Sequence, residues 1–170
     1  MIVELLKTEI FNNKNIEFKL NVNADKIKNN QNFINLVLNS KIQEGLIDVD
    51  NTTIEWKDNS SIKLTDTLIL VKDGKLYLDG KSEINIINFQ NIYKFLLTPK
   101  KYRKKINKID FSFSYAFNEK TIIVNDIIID GKYSQKVNKK LNNFYFRESN
   151  LQNKIYIKNM INEIIKAHAG

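Results

Sequence analysis

Ile109-Asp110-Phe111-Ser112-Phe113-Ser114-Tyr115-Ala116-Phe117 carries a large apolar residue at every odd position and a small or polar one between. A period of two puts all the large side chains on one face of an extended strand. Four aromatics on one face, at about 1.5–3 kcal/mol each when fully buried, do not stay in water. That face must meet a core, a partner or an apolar ligand.

The neighbouring segments also read as strands. Ile16, Phe18, Leu20 and Val22 alternate with Glu17, Lys19 and Asn21, and a polar, turn-like stretch follows from Asp25 to Gln31. Phe33 to Leu38 reads as a strand with both faces partly covered, and Gly45 ends it. Leu46 to Asp50 and Thr52 to Lys57 give short strands, and Asp58 to Ser61 a turn. Asp73-Gly74 between apolar runs predicts a two-residue hairpin loop, with Val71 opposite Leu76 and Ile69 opposite Leu78. A second Asp-Gly at 79–80 separates this hairpin from a further strand at Ser82 to Ile86, and a third at 130–131 ends Thr121 to Ile129.

Asn118 to Lys120 closes a hairpin between the aromatic strand and the isoleucine-rich one. A three-residue loop sets Phe111 opposite Ile127 and Tyr115 opposite Ile123. A two-residue loop gives Ile128 and Val124 instead. Either register leaves Asn125 or Asp126 facing Phe113, so both stay open.

Helical spacing occurs at Phe89, Ile92, Tyr93 and Leu96 before Pro99, weakly at Val137, Leu141 and Phe144, and most clearly from Ile157 to Ile165. The expected fold is mainly β: a curved antiparallel meander sheet forming a half-open groove, with a short inserted helix and a C-terminal helix. One domain spans 1–170, with first strands at 14–87, the helix at 88–98, the aromatic hairpin at 106–130 and the last helix at 154–167.

Composition narrows the chemistry. The chain has no Cys, which removes disulfides and thiolate metal sites, and a net charge of +8, which permits attraction to anionic lipid or nucleic acid. Its one His is the third-last residue, so a hydrolytic triad or histidine zinc site lacks parts. Asp48 and Asp50 share a strand side without the Gly and Glu of a calcium loop. No Gly-rich phosphate loop is present, and neither a cofactor nor enzymatic activity is expected. Met1 to Lys7 lacks the pattern of a signal peptide, because Glu4 interrupts the apolar region. No run approaches the roughly 18–20 apolar residues that span a bilayer.

Lys100, Lys101, Arg103, Lys104, Lys105 and Lys108 form the one dense basic segment. A solvated connection between helix and strand, contact with anionic headgroups, and nucleic-acid binding all need such residues; nucleic acid is the least expected. The aromatic face is read as the lining of an apolar groove, because many strand faces are apolar and few helices exist to cover them. Acyl chains suit such a groove, since every buried methylene contributes alike, about 0.8 kcal/mol. The expected lining is Ile109, Phe111, Phe113, Tyr115 and Phe117, then Ile16, Phe18, Leu20, Ile62 and Leu64.

Gly45-Leu-Ile-Asp-Val-Asp50, Asp73-Gly-Lys-Leu-Tyr-Leu-Asp-Gly80, Ile92-Tyr-Lys-Phe-Leu-Leu-Thr-Pro-Lys-Lys-Tyr-Arg103, Ile109 to Tyr115 and Asn153-Lys-Ile-Tyr-Ile-Lys-Asn-Met160 through Gly170 occur in an order and spacing that resembles the C-terminal end of AsmA-family proteins. The resemblance implies a segment of a long periplasmic protein, tethered to the inner membrane through an upstream part with a membrane anchor. It further implies a bent sheet whose apolar interior carries phospholipids toward the outer membrane, with no catalytic residues. Phospholipid acyl chains and that upstream chain are the partners it implies. The groove residues above come from alternation and not from the resemblance.

Overall fold

The computed structural model describes residues 17–28, 30–142, 144 and 146–170. Strands β1 (Glu17–Ile27), β2 (Asn30–Gln43), β3 (Leu46–Asp48), β4 (Thr53–Trp56), β5 (Ser60–Lys72) and β6 (Lys75–Ile86) come first. Helix α1 (Phe89–Leu96) and a 3-10 turn (Lys100–Tyr102) precede β7 (Lys108–Ala116), β8 (Thr121–Ile129) and β9 (Lys132–Tyr133). The rest is α2 (Gln135–Leu141), β10 (Phe146–Arg147), α3 (Glu148–Leu151) and α4 (Lys154–Ala169). All ten strands join one antiparallel sheet in the order β1-β2-β3-β5-β6-β7-β8-β10, with β4 between β2 and β5 and β9 beside β8. The mainly β antiparallel fold with an inserted and a C-terminal helix is therefore the observed one.

Local chemistry explains the short connections. Asp73 and Gly74 both have positive φ, +51° and +70°, and Val71 faces Leu76 across the hairpin they close. Asp130-Gly131 repeats the device between Ile129 and Lys132. Helix α1 starts at Asn88, whose side chain accepts from Asn91 N–H, and ends at Leu97 in the left-handed conformation before Pro99. Asn153 caps α4 in the same way, accepting from Ile155 and Tyr156.

Three local expectations differ from the structure. The Asp25 to Gln31 stretch is largely strand, since β1 continues to Ile27 and β2 resumes at Asn30. Asp79-Gly80 is no turn; β6 runs straight through it, and Gly80 lies within the strand opposite Phe113. The aromatic hairpin takes neither register: Ala116 pairs with Thr121, so 117–120 forms a four-residue loop, with Tyr115 opposite Ile122 and Phe113 opposite Val124. A bulge beyond Asn125 then inserts one extra residue, and Ile109 meets Ile129. Asp126 supplies the left-handed conformation there, φ +54°.

The bulge changes which parity faces inward. Ile122 and Val124 are even, Ile127 and Ile129 odd, yet all lie on the face of Phe113 and Ile109. Strand β5 repeats the arrangement at Asp66, φ +49°, so Ile62 and Leu64 share a face with Ile69 and Val71. Strand β2 does so at Asn35, φ +50°, against β4. These irregularities, with the break between β3 and β4, form a crease across the middle of the sheet. Bulges of this kind bend strands and strengthen their twist.

The apolar face divides at this crease. Toward one end, α1, α2 and α4 cover the sheet, burying Tyr93, Leu96, Ile127, Ile129, Val137, Leu141 and Ile165 in one cluster. Toward the other end, a second cluster is made of Ile47, Val49 and Leu76 with Leu38, Ile42, Ile69, Val71, Leu78 and Phe117. Among the described residues no helix contributes to it.

Candidate functional site

Registers place four members of the second cluster, Ile42, Ile47, Ile69 and Leu78, on one line. Phe18 pairs with Ile42, Ile42 with Ile47, Ile47 with Ile69, Ile69 with Leu78, Leu78 with Tyr115, Tyr115 with Ile122, and Ile122 with Phe146. Directly paired residues share a face, so one apolar row crosses eight strands without a polar member. At about 4.8 Å between strands it extends about 34 Å, perpendicular to the chain direction. Its outer end is open: Phe18 and Leu20 on β1 are 52% and 55% exposed.

A parallel row lies at the helix-covered end. Ile54, Ile62, Ile84, Ile109 and Ile129 pair successively across β4, β5, β6, β7 and β8. Over its β7–β8 half, α1 and α4 leave a wholly apolar cavity of about 80 Å³, bordered by Ile86, Ile92, Ile109 and Ile161. Between the two rows strand β6 carries small residues. Ser82 faces Phe111 and Gly80 faces Phe113, so both rings lie beside gaps on β6; their centroids are 6.3 Å apart. Large-beside-small pairing across strands fills the pleat as side chains do in a core.

The aromatic stripe is therefore shared between two environments. Ile109 and Phe111 pack against the helix-covered cluster, whereas Phe117 belongs to the strand-only one. Phe113 and Tyr115 are half-buried between them, and Tyr115 meets Phe117 edge-on at 4.8 Å. Ile62 and Leu64 are half-buried on the same face near the crease. Phe18 and Leu20 extend that face to the sheet edge, and Ile16 lies outside the described residues. Ile42, Ile47, Ile69 and Leu78 belong to the open row but were absent from the sequence-based lining. Alternation alone assigns them a face, but only strand order puts them in line.

The two sheet edges differ. Beyond β8, Phe146 and Arg147 pair with Ile122 and Thr121, and Lys132 and Tyr133 with Ile129 and Ile128. Between them the Asn138 carboxamide imitates a strand: its Oδ1 accepts from Ile127 N–H at 2.9 Å and its Nδ2 donates to Ile127 O at 3.1 Å. At the opposite edge β1, eleven residues long, is the terminal strand among the described residues.

The basic segment connects α1 to β7. Lys100, Lys101, Lys104 and Lys105 are exposed and form no ion pair with another described residue. Arg103 is half-buried, and its Nε donates to Thr98 O at 2.7 Å. Tyr93 OH donates to Lys104 O, and burial, with Asp130 adding to it, raises the phenol above its ordinary value. Arg103 thus braces the connection, leaving four lysines to meet solvent.

Electrostatics near the open row are self-contained. Glu17 lies 2.9 Å from Lys19 and 3.5 Å from Lys41, and the hydrogen bond from Lys19 leads in holding its carboxyl below the usual value. Lys120 pairs with Glu148 at 3.0 Å. Among the described residues no group of three His, Asp or Glu side chains could hold a metal, and no helix is long and apolar enough to cross a membrane. What the site offers is a continuous apolar row, exposed at Phe18 and buried at Ile47. Comparison with protein-family models, curated proteins and solved structures gave no match.

Proposed function

We propose that this chain is a non-enzymatic groove for phospholipid acyl chains, forming the end segment of a longer periplasmic envelope protein. The observation that carries the reading is the row from Phe18 to Phe146, apolar at every strand, whose members Ile42, Ile47, Ile69 and Leu78 pack in a cluster to which no helix contributes among the described residues. A methylene chain lying across the strands exchanges one apolar contact for an equal one as it slides, so such a row holds lipid without fixing it. Paired charges near its open end leave little to arrest a headgroup. The resemblance to AsmA-family C-termini supports the envelope setting and the upstream continuation.

The asymmetry of the edges favours a second reading, a structural module. Strand β1 is long and is the terminal strand among the described residues, whereas β8 is blocked, so another strand could add to β1 and cover its apolar face without any lipid. Mass spectrometry of solvent extracts from gently purified protein separates the two. The groove predicts co-purified phospholipid, lost by about fivefold or more in Phe18→Asp/Leu20→Asp, where exposed side chains are replaced and the fold is kept. Protein free of lipid, or lipid content equal in the variant, supports the structural module instead.

A further inference from the structure

The helix-covered end carries a second feature that the groove does not use. Leu97 ends α1 in the left-handed conformation, φ +59°, where glycine or asparagine fits more easily, and its side chain is 77% exposed. Phe95, two residues earlier, is 50% exposed. It is held edge-on by Trp56, with ring centroids 5.2 Å apart, and Lys158 Nζ lies 4.4 Å from its ring centroid. Ile155, 72% exposed, is one helical turn before Lys158 on the same side of α4. Asn162, one turn further along, donates to Leu96 O at 2.8 Å and accepts from Thr98 Oγ1 at 2.6 Å, which locks the two helices together. Phe95, Leu97 and Ile155 are thus fixed on one surface by a hydrogen-bonded frame.

The charge along the two helical segments that carry them has one sign. No acidic residue occurs from 84 to 109 or from 149 to 162, whereas Lys94, Lys100, Lys101, Lys154 and Lys158 border the three apolar side chains without an ion pair to any described residue. Large apolar side chains projecting through a lysine field match an anionic lipid interface, where the former enter the acyl boundary and the latter meet phosphates. A nucleic acid would use the lysines but leave Leu97 and Ile155 in water.

We propose that this end of the molecule docks on anionic membrane surfaces, with Phe95, Leu97 and Ile155 inserted below the headgroups. The inference stands on these residues alone and does not depend on lipid occupying the groove.

The chain contains one Trp, and it touches Phe95, so the protein carries its own depth reporter. The experiment measures co-sedimentation with phosphatidylcholine vesicles, with and without phosphatidylglycerol, and quenching of Trp56 by lipids brominated in the acyl chain. Docking predicts binding that requires phosphatidylglycerol, weakens with salt and quenches Trp56. It also predicts an affinity lowered by about tenfold in Leu97→Asn/Ile155→Ser, with an unchanged melting temperature and unchanged co-purified lipid. Equal binding to both vesicle types overturns the proposal. So does binding that the double variant leaves intact, or a single-stranded oligonucleotide held more tightly than vesicles by both proteins.

Discussion

Thr67 rests its side chain on the bare Cα of Gly80, across the crease of the sheet. Thr67 is fully buried, and a Cβ on Gly80 would lie 2.7 Å from the Thr67 Cβ. Gly80 is absent from the positive-φ residues, so its role is close approach and not a special backbone conformation. Gly80→Ala therefore has a steric cost only. It should lower stability by about 1–3 kcal/mol in urea unfolding. Removing the nearest contact, the Thr67 hydroxyl, as in Thr67→Ala/Gly80→Ala compared with Thr67→Ala alone, should make the Gly80→Ala step less costly; an equal cost in both backgrounds would place the effect elsewhere.

Asp126 sets the parity of β8. At φ +54° it holds a conformation that a β-branched residue adopts at a cost of about 1–2 kcal/mol, whereas Gly adopts it freely. Asp126→Val should lower the unfolding free energy by that amount, and Asp126→Gly should stay within about 0.5 kcal/mol of the parent. Equal effects of both would show that the bulge is not what places Val124 and Ile127 on one face.

These two positions also explain what the sequence disclosed. The Asp73-Gly74 hairpin, the 88–98 helix and the C-terminal helix are local events, written in caps, turn residues and periodicity, and they occur at Phe89–Leu96 and Lys154–Ala169. The register of Phe111 to Tyr115 against β8 is not local. The polar pair Asn125-Asp126 within an isoleucine-rich run is its signal, because it marks the inserted residue. Asp79-Gly80 has the composition of a turn, and only the approach of Thr67 from β5 shows otherwise. Phe111 and Phe113 are large because Ser82 and Gly80 beside them are small, a relation that exists once β6 and β7 are neighbours.

Asn138 blocks the β8 edge through both hydrogen-bonding groups of Ile127, which is itself buried. Asn138→Ala removes the partner of both the Ile127 N–H and the Ile127 C=O and should cost about 1–3 kcal/mol. Hydrogen exchange should accelerate at the Ile127 amide well beyond that at Ile109 on the neighbouring strand. Uniform acceleration would mean that Asn138 acts through helix α2 as a whole.

Burial holds His168 below its ordinary value, with Lys104 acting in the same direction and Asp130 opposing. The folded chain thus prefers neutral imidazole. As pH falls through 6.5, the unfolded chain takes up the proton first and stability declines, levelling once pH is below the folded value. Carboxylates such as Glu83 and Glu163, lowered by hydrogen bonds from Lys108 and Lys166, lose their contribution only below 4.5. Melting temperature should therefore decline between about pH 7 and pH 5.5, and His168→Gln should flatten that decline. An unchanged slope in the variant would assign it to another group.

The groove is tested most directly by position. A photo-reactive benzoylphenylalanine replaces Phe18, Ile42 or Phe117 along the open face, or Tyr133 at the β9 edge, in protein illuminated with its native lipid. The account predicts phospholipid adducts at the first three positions and none at Tyr133. Adducts absent from all four, or equally abundant at Tyr133, would contradict an acyl-chain groove on this face of the sheet.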